Sequence, residues 1–148
     1  MNLGSVLKQQ GKLDEAVECY QAAAKRFPSE AGPLRWLAGV LSQKGQFTQA
    51  AEVCRRALQL EPNNAELWVA LGNADLAQTN YDGAADSYRK ALQMDPASAS
   101  LHSNLGMVLG LQGQPEAARQ EMAGALRLKP DFSAALQQVI WLKSRRMN

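Results

Sequence analysis

Residues 65–98 read AELWVALGNADLAQTNYDGAADSYRKALQMDPAS, and their spacing of small, bulky and helix-breaking residues recurs on both sides. The proline near the end of this stretch, Pro96, belongs to a series with Pro28, Pro62 and Pro130, each 34 residues from the next. A fixed period of that length marks a stacked helical repeat. In register on the prolines, Leu3, Leu37, Leu71 and Leu105 align, and so do Gly4, Ala38, Gly72 and Gly106. Ala16, Ala50, Ala84 and Ala118 form another small column, and Ala23, Ala57, Ala91 and Ala125 a third. Tyr20, Cys54, Tyr88 and Met122 form a bulkier one.

These columns describe a helical hairpin. A first helix ends at Gly11, Gly45 or Gly113, because glycine takes the left-handed conformation that closes a helix. In the third unit Thr79-Asn80 replaces the glycine, and Asn80 is the residue expected to turn left-handed. A second helix then runs until the proline, which cannot continue it. Asp14, Asp82 and Glu116 fall in the first turn of the second helices, where the helix dipole favours negative charge. Ser29, Asn63 and Asp131 are expected to cap the first helix of the next unit. The small columns let two backbones approach, and the leucine and aromatic columns fill the gaps between them.

The pattern resembles the tetratricopeptide repeat (TPR) family. Trp68, Leu71, Gly72, Ala84, Tyr88, Ala91 and Pro96 fall where that family places its signature residues. The departures are local: Leu34 and His102 replace the tryptophan, and Asp75 stands where Leu7, Leu41 and Leu109 stand. The resemblance implies an all-α fold, a right-handed superhelical solenoid of helix-turn-helix repeats with a C-terminal capping helix. The chain then reads as one domain over 1–148: a partial unit 1–30, full units 31–64, 65–98 and 99–132, and a capping helix 133–148. Met1 enters the repeat partway through a first helix, as expected of a section of a longer protein.

The net charge of +2 argues neither for nor against nucleic acid, but no aromatic-interleaved basic strip or nucleic-acid motif is present, so no nucleic-acid partner is expected, and no apolar run reaches the length of a membrane span. Lys143, Arg145 and Arg146 read as a solvated terminus. Cys19 and Cys54 have no metal-ligand spacing and make no disulfide framework, which points to a reducing, cytoplasmic compartment. No cofactor, metal or catalytic residue is expected. The single histidine, His102, lies in a packing column with Leu34, Trp68 and Leu136, and Asp75 is expected to pair with a neighbouring Arg or Lys.

In TPR proteins the first helices line a concave face that binds peptides or helices, and the resemblance implies the same here. Residues three or four apart share a helix side, so the stripe opposite the core columns is expected to be exposed. It contains Asn2 and Ser5, then Arg35, Trp36, Gly39 and Ser42, then Val69, Ala70, Asn73 and Leu76, then Ser103, Asn104 and Met107, and in the tail Gln137, Gln138, Trp141 and Arg145. Of these, Arg35, Trp36, Asn73, Asn104, Met107, Gln138 and Trp141 form the candidate peptide site. Trp36, Met107 and Trp141 are apolar anchors, the amides can bond a peptide backbone, and Arg35 can take a carboxylate.

Two subfamily comparisons bear on the partner. In the chaperone-binding carboxylate clamp, Asn73 and Asn104 match the two asparagine slots, but Val69, Ala134 and Gln138 occupy the basic slots. That clamp is not expected. The asparagine ladder of O-linked N-acetylglucosamine transferases is matched by Asn2 and Asn104 and interrupted by Trp36 and Ala70.

The reading is a non-catalytic module that binds a protein or peptide partner in its groove. Two alternatives stand: a substrate-recruiting segment of a larger transferase, and a scaffold that self-assembles. Ala135, Val139 and Leu142 in the tail helix, with the first unit at the other end, leave apolar seams expected to allow weak self-association.

Overall fold

The computed structural model describes residues 3–133 with Ala135, Gln137 and Gln138. Among these residues the fold is all helical. Four antiparallel hairpins follow one another: α1 (Leu3–Gln9) and α2 (Leu13–Arg26), α3 (Ala31–Gln43) and α4 (Phe47–Leu60), α5 (Ala65–Ala77) and α6 (Tyr81–Met94), α7 (Ala99–Leu111) and α8 (Pro115–Leu128). Each helix packs on the next in the chain, and α3 also touches α5. This is the architecture of a TPR solenoid, in which each unit buries its apolar face only by stacking on its neighbours.

The turns inside the hairpins explain the glycine column. Gly11, Gly45 and Gly113 have φ of 75°, 75° and 77°. In the third unit the left-handed residue is Thr79, with φ of 59°, and not Asn80. Asn80 instead becomes the N-cap of α6: its side chain accepts from the Gly83 amide and donates to Asp75 Oδ1. The amide is worth more as a cap and a partner for a buried carboxylate than as the turn residue, and threonine carries the turn.

The caps of the first helices fall one residue later than the spacing suggests. Ser29 and Asn63 give way to Glu30 and Asn64, of which Asn64 caps through its side chain and Glu30 does not; Ser98 stands at the same place before α7, again without a side-chain cap bond, and the cap expected at Asp131 adjoins residues outside those described. The reason is a turn around each proline, in which the Asn64 amide donates to Glu61 O and the Ser98 amide to Asp95 O. That turn takes up Pro62 and Asn63, so Asn64 is left to accept from the Leu67 amide at 3.2 Å.

The small and bulky columns meet as complementary shapes. A Cβ added to Gly72 would lie 2.8 Å from Tyr88 Cε1, and one added to Gly4 or Gly106 would lie 2.5 Å from Tyr20 Cζ or Met122 Cε. In the second unit, where the small residue is Ala38, the facing residue is the smaller Cys54, and both are buried. Close packing leaves no room for both to be large. Burial pushes the Cys54 thiol up to about 11, against a lowering by Arg55, so it stays protonated and acts as a small core hydrophobe.

Candidate functional site

Arg35 and Trp36 lie on α3, Asn73 on α5, and Asn104 and Met107 on α7, so these five are carried by first helices of three successive units. Trp36 is 42% exposed although it is among the largest side chains in the chain. Its ring leans on Tyr20 of the preceding unit, with centroids 5.7 Å apart and planes inclined by 36°. The Tyr20 ring is buried, so one aromatic is fixed and supports the other at the surface.

The two rings open onto a cleft of about 390 Å³ between α1 and α3. Ser5, Lys8 and Gln9 form one wall, and Arg35, Gly39 and Gln43 the other. Gly39 is exposed, and a Cβ there would meet nothing within 4 Å, so the floor of the cleft is open. Arg35 Nη1 is 3.6 Å from Glu66 Oε2, a pair whose two side chains are 42% and 81% exposed. Such a surface pair is weak and exchangeable. Lys8, Gln9 and Gln43 were not among the sequence candidates. The repeated glutamine in one column, Gln9 and Gln43, was the available signal.

The position that follows the small column is matched to the bulky core residue beneath it. Tyr88 lies flush on Gly72 and donates from its hydroxyl to Asn73 Oδ1 at 2.7 Å. Burial pushes the Tyr88 phenol up to about 12, so it remains a donor. Tyr20 reaches Ser5 in the same way, hydroxyl to hydroxyl at 3.2 Å. In the fourth unit both positions are apolar, and Met107 packs against the core cluster that contains Met122. Asn104 is partly buried on α7, a position it shares with the column of Ala70.

The remaining residues of the expected stripe divide: Val69, Ala70 and Leu76 are not exposed but pack, partly buried, against the core clusters. Gln138 is described, and its Oε1 accepts from Ser103 Oγ at 3.3 Å. Ser103 was expected in the exposed stripe; it is only 2% exposed, within a hydrogen bond of the tail residue Gln138. Trp141, with Val139 and Leu142 of the expected apolar seam, lies outside the described residues, whereas Ala135 of that seam is not exposed but buried in the core cluster that contains Ala118, Met122 and Ala125.

Asp75 and His102 have defined structural partners. Asp75, 3% exposed, accepts from Arg55 Nη2 at 3.0 Å and from Asn80 at 3.2 Å. His102 Nδ1 lies 2.7 Å from Glu121 Oε2, and its Nε2 lies 3.2 Å from Pro96 O. Trp68 makes the equivalent contact one unit earlier, Nε1 donating to Pro62 O at 2.8 Å. Both rings thus tie the start of a first helix to the turn before it. In the second unit Leu34 has no such group. There a second cleft, of about 550 Å³, opens between α2 and α4 over Leu34, Leu37 and Leu41, with Lys25, Glu52 and Arg56 on its rim.

Three family models match the chain: tetratricopeptide repeat over residues 1–65, TPR repeat over 72–113 and tetratricopeptide repeat over 99–132. The chain belongs to the tetratricopeptide repeat family. No curated protein matches its sequence. Among solved structures, this TPR chain is similar to MamA, at 23% identity and a TM-score of 0.94, over 99% of this chain and 85% of that one. A MamA segment from Desulfovibrio magneticus RS-1 gives 22% identity and a TM-score of 0.93, over 98% and 82%. YrrB, described as a TPR protein with an unusual peptide-binding site, gives 22% identity and a TM-score of 0.84, over 91% and 70%. Likeness at these identities shows the shared TPR fold. No helix among the described residues is long and apolar enough to cross a membrane.

Proposed function

We propose that this TPR chain is a protein-interaction module that holds a peptide or helix of a partner along the concave face lined by α1, α3, α5 and α7. The observation that carries the reading is Trp36, a large ring left exposed on a buried tyrosine at the mouth of an open cleft. Exposed aromatics in a recess are the side chains that dominate protein interfaces. Asn73 adds a backbone-binding amide, and Asn104, Met107, Gln138 and Trp141 extend the same site along the stack. The peptide-binding site named for YrrB, a protein of the same fold, supports the reading.

No catalytic role is proposed for His102 or Asp75, because each is engaged by structural partners. A cytoplasmic setting is proposed with the same module. The test is selection of binders from a random dodecapeptide library on the immobilised chain. Trp36→Ala is expected to weaken the selected peptides by about 2 kcal/mol, and Arg56→Glu on the far side to leave them unchanged. The opposite pattern would move the site to the cleft between α2 and α4.

A second reading has one observation in its favour. Leu3 is 66% exposed, whereas Leu37, Leu71 and Leu105 of the same column are buried. A second copy stacked on α1 would cover it. Sedimentation of the wild type and of Leu3→Glu distinguishes this weak self-association from a monomer.

A further inference from the structure

We propose that the cleft between α1 and α3 selects an acidic partner segment, one in which a carboxylate stands next to an apolar side chain. The inference rests on the reading of the first helices as the binding face and adds the chemistry of what binds there. Two cations, Lys8 and Arg35, line the cleft, and no acidic residue does. Lys8 is exposed and pairs with no carboxylate among the described residues. Among the described residues the salt-bridge partner of Arg35 is Glu66, at 3.6 Å and largely in water, so a partner's carboxylate can take it over.

The sequence partitions charge in a way that makes this local. Across α1, α3, α5 and α7 the acidic residues are Glu66 and Asp75, and Asp75 is buried against Arg55. Of the other carboxylates near this end, Asp14, Glu15, Glu18 and Glu52 sit on the second helices, where Asp14 is engaged by Lys44, and Glu30 and Glu61 lie in the turns between units, Glu61 in a neighbouring recess that Arg35 and Glu66 also line. The first helices therefore carry one cation each in units one and two, two carboxylates in unit three, of which Asp75 is paired with Arg55, and no Lys, Arg, Asp or Glu in unit four. An acidic segment is drawn to one end only, which fixes its register along the groove. The apolar neighbour has its place beside the carboxylate: Trp36 offers a ring face, and Gly39 leaves the adjacent floor empty.

The same dodecapeptide library, selected on the full chain at low salt, tests this. Enriched peptides are expected to carry Asp or Glu adjacent to an aromatic or aliphatic residue. Replacing that acid by its amide, or making Lys8→Gln with Arg35→Gln, is expected to weaken binding roughly fivefold, as two exposed ion pairs would. Raising the salt is expected to remove that difference. Gly39→Leu, which fills the floor without touching a charge, is expected to block binding while the helix stays folded. Enriched peptides that are neutral or basic, yet lose affinity in Trp36→Ala, would overturn the charge inference and leave the binding face standing. Peptides indifferent to Trp36, Gly39, Lys8 and Arg35 alike would remove both.

Discussion

Tyr88 and Asn73 are joined hydroxyl to amide oxygen at 2.7 Å, across a helix pair whose contact is open only because residue 72 is glycine. The bond ties a core residue of α6 to a surface residue of α5. It occupies the amide oxygen of Asn73 and leaves its NH2 as the group free to meet a partner's carbonyl. Tyr88→Phe keeps the ring and removes the bond. Its expected cost is about 1 kcal/mol of stability, together with weaker binding of any peptide that uses Asn73. Chemical denaturation and a binding isotherm on the same variant check both effects.

Alkaline pH acts on the same pair. The Tyr88 phenol rises in the folded state from an ordinary value of 10 to about 12, and the Cys54 thiol from 9 to about 11, both through burial. Above the unfolded value the unfolded chain has released a proton that the folded chain retains, so stability falls as pH rises. The contribution is complete below pH 9 and is lost from about pH 9 to 11 for Cys54 and from about pH 10 to 12 for Tyr88. Denaturation midpoints measured across that range are expected to fall, and to fall less steeply in Cys54→Ala and Tyr88→Phe.

Glycines in equivalent helices are expected to respond with opposite sign. Gly72→Ala places a Cβ 2.8 Å from Tyr88 and is expected to cost about 1–3 kcal/mol by overpacking. Gly39→Ala meets nothing within 4 Å and is expected to gain about 0.5–1 kcal/mol from helix propensity. Thermal melts of the two variants decide the point. A loss at Gly39 equal to that at Gly72 would contradict the packing scheme.

Arg55→Ala removes a half-exposed guanidinium and leaves Asn80 as the remaining side-chain donor to the buried Asp75 carboxylate among the described residues. It is expected to cost about 1–3 kcal/mol. Asp75→Leu restores the residue type of Leu7, Leu41 and Leu109, and is expected to cost less than Arg55→Ala. A larger loss for Asp75→Leu in equilibrium unfolding would show that the charge pair itself carries the stability of the third unit.

The period made the hairpins legible because each repeat imposes the same packing on the same columns: the contact of Gly72 with Tyr88 is that of Gly4 with Tyr20 and of Gly106 with Met122. A cationic partner for Asp75 was expected from its column, although choosing Arg55 required the placement of α4. The cap positions were missed because the proline turn consumes one more residue than the spacing reveals. The left-handed Thr79 was missed because Asn80 has two competing uses, and its cap to Gly83 and bond to Asp75 prevail. Ser103 was placed outside because helix periodicity on α7 does not foresee Gln138 lying over it. The cleft with Lys8 depends on the gap between α1 and α3, a distance that no single helix encodes.

The indole N–H resonances of the 15N-labelled chain, titrated with a library-selected peptide, test the central claim most directly. The Trp68 indole already donates to Pro62 O, whereas Trp36 stands exposed at the cleft. A saturable shift of the Trp36 indole, with Trp68 unmoved, is the predicted result. A shift at Trp68 with Trp36 unchanged would contradict binding on the first-helix face.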